Sequence, residues 1–215
     1  MSIITNPAEI EKRSFEIITE RLGGRRFEPQ NENVIKRVIH TTADFDYADN
    51  LFFSKDAASV AKQALKKGAR IVTDTQMAKS GINKKAAAQL GCDVYCYIDS
   101  PEVYELAQAN GSTRARAAVD RAAEALENPV IFVAGNAPTA LIRLHELILA
   151  GTFSPTLIIA VPVGFVNVVE SKELILGLKT PHIVARGQKG GSNVAAAICN
   201  ALLYEAAGFN ESPGG

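Results

Sequence analysis

Five short runs rich in β-branched residues, Ala69–Thr73, Asp93–Ile98, Val130–Ala134, Leu157–Val161 and His182–Ala185, recur along the chain with longer stretches between them. Most are apolar throughout instead of alternating, and a strand of that kind needs cover on both faces, as in a parallel sheet. The intervening stretches Lys84–Leu90, Thr113–Leu126, Thr139–Ala150 and Ser171–Leu178 have helical character, so strand and helix alternate. That order predicts an α/β fold, three-layer α/β/α, with a mainly parallel sheet of about five strands. Helices precede it. Asn6-Pro-Ala-Glu9 reads as a helix start, with Asn6 as cap, Pro7 in the first position and Glu9 able to reach back, and Gly23-Gly24 marks the end. Further helices are expected from about Glu32 to His40, from Asp56 to Lys67 before Gly68, and from Asn193 to Ala207 before Gly208. One domain over 1–215 is expected, with 209–215 as a loose tail.

The 23 Lys and Arg residues balance 23 Asp and Glu residues, so no global field draws the chain to nucleic acid or an anionic membrane. An anionic ligand would need local groups. Pro7, Glu9 and Glu11 sit where a secretory signal needs an apolar core. The longest apolar candidate, near Leu157–Val169, is broken by Pro162, Gly164 and Asn167, well short of the roughly 20 residues of a membrane span. A cytoplasmic protein is expected. Cys92 and Cys96, placed on one strand, would stand about 13 Å apart, too far to share a metal ion. Cys199 lies in an Ala-rich helical run and reads as a small buried hydrophobe, so no zinc site and no disulfide are expected.

Ligands of open parallel sheets bind beyond the carboxyl ends of the strands. Four of the five predicted exits are polar or glycine-rich: Asp74-Thr-Gln-Met77, Gly135-Asn-Ala-Pro-Thr139, Pro162-Val-Gly-Phe-Val-Asn167 and Arg186-Gly-Gln-Lys-Gly-Gly-Ser192. The last combines two cations, three glycines and a serine opening a helix, the outline of an anion site. Its order is neither that of a Walker loop nor that of a Rossmann fingerprint; a surface turn is the alternative. On the second helix, Val34, Ile35 and Val38 form an apolar side, while Asn33, Lys36, Arg37 and His40 gather on the other. His40 beside Arg37 reads as an acid–base group next to an anion binder, or equally as a histidine favoured by the helix C-terminal dipole. His145 and His182 read as structural. Ser14, on the apolar side of the first helix, ordinarily bonds the carbonyl four residues back. Arg114 and Arg116 occupy a helix start, where cations are disfavoured, so an anionic partner or a salt bridge is expected there. No Ser-His-Asp or Cys-His set and no acidic magnesium cluster can be assembled from spacing.

The same segments resemble the precorrin-8X methylmutase family, whose cobalt-pathway members are cobalt-precorrin-8 methylmutases. The matching stretches are Glu11-Lys-Arg-Ser-Phe15, Arg37-Val-Ile-His40, Asp74-Thr-Gln-Met77 with Gly81-Ile82, Thr113-Arg114 and Gly135-Asn-Ala-Pro-Thr-Ala-Leu141. Pro162-Val-Gly-Phe-Val166 with Glu170-Ser-Lys172, and Arg186-Gly-Gln-Lys-Gly-Gly-Ser192, complete the set. They keep the family's order over nearly the whole chain, and the Gly-Asn-Ala-Pro-Thr-Ala and Pro-Val-Gly-Phe-Val blocks together are highly specific.

The resemblance implies an isomerase of cobalamin biosynthesis that moves a methyl group from C-11 to C-12 of a tetrapyrrole, formally a 1,5-sigmatropic shift without organic cofactor, giving cobyrinate or hydrogenobyrinate. It implies His40 as proton donor and acceptor. Ser14, Arg37, Arg114, Asn136, Arg186, Lys189, Gly190, Gly191 and Ser192 would hold the polycarboxylate substrate, with any cobalt belonging to that substrate. It further implies a homodimer with sites near the subunit interface, and hand-over to neighbouring pathway enzymes. Thr41-Thr-Ala-Asp-Phe-Asp-Tyr47 looks more like the cobalt pathway, while Gln188 stands where relatives are often basic. A corrinoid carrier without turnover, or an enzyme acting on another polyanionic metabolite, are the alternatives.

Overall fold

Strand residues that point to opposite faces are buried on both sides in the computed structural model, which describes residues 3–209. The chain opens with α1 (Pro7–Leu22), α2 (Pro29–Thr42) and α3 (Tyr47–Asn50), followed by β1 (Leu51–Phe53), α4 (Ala57–Lys66) and β2 (Arg70–Thr73). It continues through α5 (Gln76–Gly81), α6 (Lys84–Gln89), β3 (Val94–Tyr95), α7 (Pro101–Ala109), α8 (Arg114–Ala125) and β4 (Val130–Ala134). The last part is α9 (Pro138–Leu149), β5 (Leu157–Ala160), α10 (Val168–Leu176), β6 (His182–Ala185) and α11 (Ser192–Ala207). The sheet order is β1-β6-β5-β4-β2-β3, parallel throughout except for β1, which runs antiparallel to β6.

Ile131, Val133, Leu157, Ile159 and Ile183 pack toward α1, α2, α4, α6 and α11, while Phe132, Ala134, Ile158, Ala160 and Val184 pack toward α8, α9 and α10. Each strand therefore feeds two cores, which is why its sequence does not alternate. α11 is buried over most of its circumference, from Val194 to Ala206, because it lies against the sheet and is itself covered by α2, α4, α5 and α6. Its alanines permit that crowding.

The α/β layering stands as expected, with three corrections. The sheet has a sixth strand, β1: three residues are too short a run to show a period, and pairing with β6 supplies the order that local sequence does not. The expected strand Asp93–Ile98 shrinks to Val94–Tyr95, because Tyr97 and Ile98 leave the sheet edge to pack against α7 and α8. With it goes the premise that Cys92 and Cys96 share a strand; Cys92 is buried with its thiol donating to the Leu65 carbonyl at 3.3 Å, and Cys96 is half-buried. Phe209 is not loose: its N–H donates to the Tyr204 carbonyl at 2.9 Å and its ring packs edge-on to Tyr204, while 210–215 lie outside the described residues. Asn6 caps α1 as expected, accepting from the N–H groups of Ala8 and Glu9.

A Cβ added to Gly81, at the end of α5, would lie 2.8 Å from Cβ of Ala196 on α11. Overpacking of this kind costs about 1–3 kcal/mol, against at most about 1 kcal/mol recovered in helix propensity. Gly81→Ala is therefore expected to lower stability in urea unfolding, and an unchanged midpoint would show that the α5–α11 contact yields freely.

Candidate active site

Asp74 ends β2 and is only 4% exposed, yet its carboxylate is filled. One oxygen accepts from Gly135 N–H at 2.8 Å, the other from Asn136 and Ala137 N–H at 2.8 and 2.7 Å. Burial pushes this carboxyl above the usual carboxylate range, and the three donors pull the other way. The bonds bend the β4 exit over the β2 exit and present Asn136 to solvent. Gly135 in turn lies against α11, where a Cβ would meet Cα of Ser192 at 2.9 Å. The Ser192 hydroxyl completes the joint with Thr75 Oγ1 at 2.8 Å, and Thr75 caps α5.

Beside this joint a hollow of about 410 Å³ is lined by Asp74, Thr75, Asn136, Thr113 and Arg114. Thr113 caps α8, which places Arg114 at the rim. Its guanidinium lies 4.8 Å from the Tyr104 ring, donates to the Tyr104 hydroxyl at 3.2 Å and is 3.7 Å from Asp99. Arg116 takes the other alternative: both terminal nitrogens bond Glu146, at 3.0 and 2.8 Å, facing away from the rim.

The exits of β5 and β6 are laced together. Gly191 N–H donates to the Val161 carbonyl at 2.8 Å, and Gly164 N–H to the Gln188 carbonyl at 3.1 Å. Gly190 must be glycine, since a Cβ there would fall 2.1 Å from the Val161 carbonyl oxygen. Arg186 is exposed, its backbone N–H bonded to the Asn50 carbonyl and its guanidinium 4.7 Å from the Phe52 ring. Beneath the loop the Lys172 side chain is wholly buried, and its Nζ donates to the carbonyls of Gly187 at 2.7 Å and Lys189 at 2.9 Å. Burial lowers its pKa to about 8. Val163, Phe165 and Val166 stand exposed on the neighbouring β5 exit, Phe165 at 83% and Val166 at 77%.

The third group sits on α1 and α2. Val34, Ile35, Val38 and Ile39 are buried as the pattern predicts, which turns Arg37 and His40 to the opposite side. The His40 ring stacks on Phe15, centroids 5.2 Å apart. Burial, and then the positive charge of Arg37, hold its pKa below the ordinary imidazole value, with Glu11 opposing. Arg37 lies between the Phe15 and Tyr204 rings, 4.7 and 5.3 Å from their centroids, and ion-pairs with Glu11. Glu11, Phe15, Arg37 and Tyr204 line a groove of about 570 Å³ between α1, α2 and α11, and His40 stands behind Phe15, outside that lining. The Ser14 hydroxyl donates to the Ile10 carbonyl at 2.9 Å, the local bond expected of it.

Lys189 connects α2 to the rim. After α2, Ala43 turns in the left-handed region, and Asp44 and Asp46 then both accept from Lys189 Nζ at 2.6 Å. The two carboxylates raise the Lys189 pKa. The expected loop cation is thus already engaged, and it ties the end of the His40 helix to the loop. The structure gathers Arg114, Asn136, Arg186, Gly190, Gly191 and Ser192 on one rim; Ser14, Arg37 and His40 lie on the adjoining helical layer. Sequence reasoning did not give roles to Asp74, Lys172, Phe15, Tyr204, Asp44 or Asp46. Lys172 and Phe15 lay within the family-like blocks, but nothing local marks a lysine as buried. Among the described residues no group of three or more His, Cys, Asp or Glu is arranged to hold a metal ion, and no helix is long and apolar enough to cross a membrane.

Asp74→Asn would set an amide NH₂ against backbone N–H donors and leave at least one of them unpaired, at about 1–3 kcal/mol each. Urea unfolding should show a loss of that size; a stability equal to wild type would mean that the β4 exit does not depend on Asp74.

The model for precorrin-8X methylmutase matches residues 9–205. Cobalt-precorrin-8 methylmutase from Salmonella typhimurium is 49% identical over 211 residues, covering 95% of this chain and 98% of that protein. Its counterpart from Leptospira interrogans is 44% identical over 211 residues, covering 94% and 96%. The crystal structure of precorrin-8x methyl mutase from Thermus thermophilus superposes with a TM-score of 0.88 at 39% identity, covering 95% of this chain and 99% of that one. Strand exits, glycine loop and histidine helix are thus parts of one known architecture, and this chain belongs to the precorrin-8X methylmutase family of isomerases in cobalamin biosynthesis.

Proposed function

We propose that this chain moves a methyl group from C-11 to C-12 of cobalt-precorrin-8, giving cobyrinate, with His40 as proton donor and acceptor. The observation that carries the reading is His40 itself: half-buried, stacked on Phe15 and joined through the end of its helix to the glycine loop. Protonation of the conjugated macrocycle by the imidazolium weakens the bond to the migrating methyl, and return of the proton to the imidazole sets the final tautomer. The methyl stays within one molecule, so no organic cofactor and no resident metal are required; cobalt arrives with the substrate. The relatives from Salmonella typhimurium and Leptospira interrogans, more similar in sequence than the Thermus thermophilus protein, are cobalt-precorrin-8 methylmutases, which favours the cobalt form.

The substrate is flat and apolar across its ring and carboxylate-rich at its edge. The rim offers both kinds of surface: Val163, Phe165 and Val166 beside Arg186, Arg114, Asn136 and the loop Gly190-Gly191-Ser192. Each charge-assisted hydrogen bond to a carboxylate contributes about 1.5–3 kcal/mol. Arg37 would add another as Glu11 yields to the ligand, and Ser14 would accept or redirect its hydroxyl. Residues 1–215 act as one methylmutase domain, as a homodimer in which the second copy helps to close the site, working in the cytoplasm with hand-over to neighbouring pathway enzymes. Sedimentation should return about twice the 23.0 kDa of one chain; a monomer at micromolar concentration would remove the shared site.

The sign of the pH dependence follows from the environment of His40. Its free-protein pKa lies below 6.5, and the donor form is the protonated one. Anaerobic turnover, followed by the visible spectrum, should show kcat/KM falling as pH rises through that pKa. In kcat the limb moves to higher pH, because bound substrate carboxylates favour the imidazolium. His40→Ala should lose about 10²–10⁴ in rate while still binding cobyrinate. Undiminished multiple turnover by the variant would remove His40 from the mechanism. Faster turnover of metal-free precorrin-8X than of the cobalt form would overturn the choice of substrate.

A further inference from the structure

Lys172 is the one wholly buried lysine among the described residues, and no carboxylate among them lies within ion-pair distance of its Nζ. A buried ammonium without a counter-ion is costly, and a methionine of similar shape would fill the same space without that cost. What the ammonium does is hold two carbonyls. Gly187 O and Lys189 O both turn inward to Nζ, at 2.7 and 2.9 Å. The peptide unit is planar and trans, so the N–H on the far side of each of those bonds points the opposite way. Those are the N–H groups of Gln188 and Gly190, and among the described residues neither has a hydrogen-bond acceptor. Two outward amides beside Arg186 and the start of α11, backed by a buried positive charge, offer donors suited to one carboxylate.

We propose that Lys172 is a positioning residue: it fixes the 186–192 loop so that the Gln188 and Gly190 amides face a substrate carboxylate, which serves as the counter-ion that the buried ammonium otherwise lacks. This rests on the reading of that loop as a binder of the corrinoid's carboxylates, and adds to it the residue that sets the loop's conformation and charge.

A structural lysine and an electrostatic one differ in pH dependence. The titratable groups on the neighbouring elements are Arg143, His145 and Glu146 on α9, Glu170 and Glu173 on α10, His182 on β6, and Arg186 and Lys189 in the loop. Arg143 and Glu146 pair with each other and with α8, and Lys189 pairs with Asp44 and Asp46. His182 donates through Nδ1 to the Thr180 carbonyl, and burial lowers its pKa, away from the range of the titration. None of these charges contributes to the shift at Lys172, whose sole cause is burial and whose pKa in the free protein is about 8. A bound carboxylate favours the ammonium, so affinity is highest below that pH and falls as the pH rises through it, with one proton taken up on binding.

The probe is cobyrinate, titrated against the full-length protein between pH 7 and 9.5 with the visible spectrum as readout. In wild type the dissociation constant should rise about tenfold for each pH unit well above 8. In Lys172→Met and Lys172→Gln it should be raised by about tenfold or more at pH 7 and no longer change over this range. Thermal unfolding checks that each variant is folded; should neither fold, the wild-type profile and its proton uptake, measured calorimetrically in two buffers, decide alone. A pH-independent wild type, or variants that bind as tightly and with the same profile as wild type, would overturn the role of Lys172 and leave the loop as a binding site. Wild type that does not bind cobyrinate at all would overturn the reading of the loop and this inference with it.

Discussion

Four parallel strands, β2, β4, β5 and β6, covered on both faces, leave polar chemistry only one place to go. Every crossover returns the chain through a helix, so the carboxyl ends of β2, β4, β5 and β6 open onto the same rim. That arrangement would be loose if each exit stood alone. Asp74 binds the β4 exit, Ser192 bonds back to Thr75, and the β5 exit exchanges backbone bonds with the glycine loop. The rim is therefore a set of mutually braced turns whose backbone donors are held in fixed orientations.

The neutral overall charge takes on a different meaning against that frame. Many of the cations are committed within the protein: Arg116 and Arg143 to Glu146, Arg143 to Asp120, Lys62 to Glu205, Lys189 to Asp44 and Asp46. Exposed pairs of this kind add little to stability, but they set where positive potential remains. On the rim it remains at Arg186, which rests on an aromatic ring, at Lys172 beneath the loop, and in part at Arg114, which Asp99 faces at 3.7 Å. Local potential, not net charge, is what a polycarboxylate meets.

Much of this was legible in the sequence, for reasons that differ by element. The largely apolar runs gave β4 and β6 to the residue and β5 to within one, since a strand covered on both faces has little room for polar side chains. The cap at Asn6 and the glycine ends of α1 and α11 were equally plain, because those signals are local. β1 and the shortened β3 were not, because the first depends on an antiparallel partner more than a hundred residues away and the second on where the sheet edge stops. At the site, the glycine loop and the His40–Arg37 face could be read from composition and helical spacing. Asp74 and Lys172 could not: their meaning lies in burial and in backbone groups supplied by distant segments. Ser14 shows the converse, a residue whose i−4 bond is predictable from its own helix.

The same distinction bears on how a substrate could be sensed. His40 touches α1 through Phe15, and its helix reaches the loop only through Asp44, Asp46 and Lys189. A carboxylate entering the loop competes with those two aspartates for the Lys189 ammonium, since all three are acceptors for the same donors. The nearer of those aspartates, Asp44, follows the last turn of α2, which carries His40. Burial and then Arg37 lower the pKa of the imidazole, while an incoming polyanion favours its charged form. Under the proposed mechanism, a ligand rich in carboxylates thus draws to the histidine the proton that its own rearrangement needs.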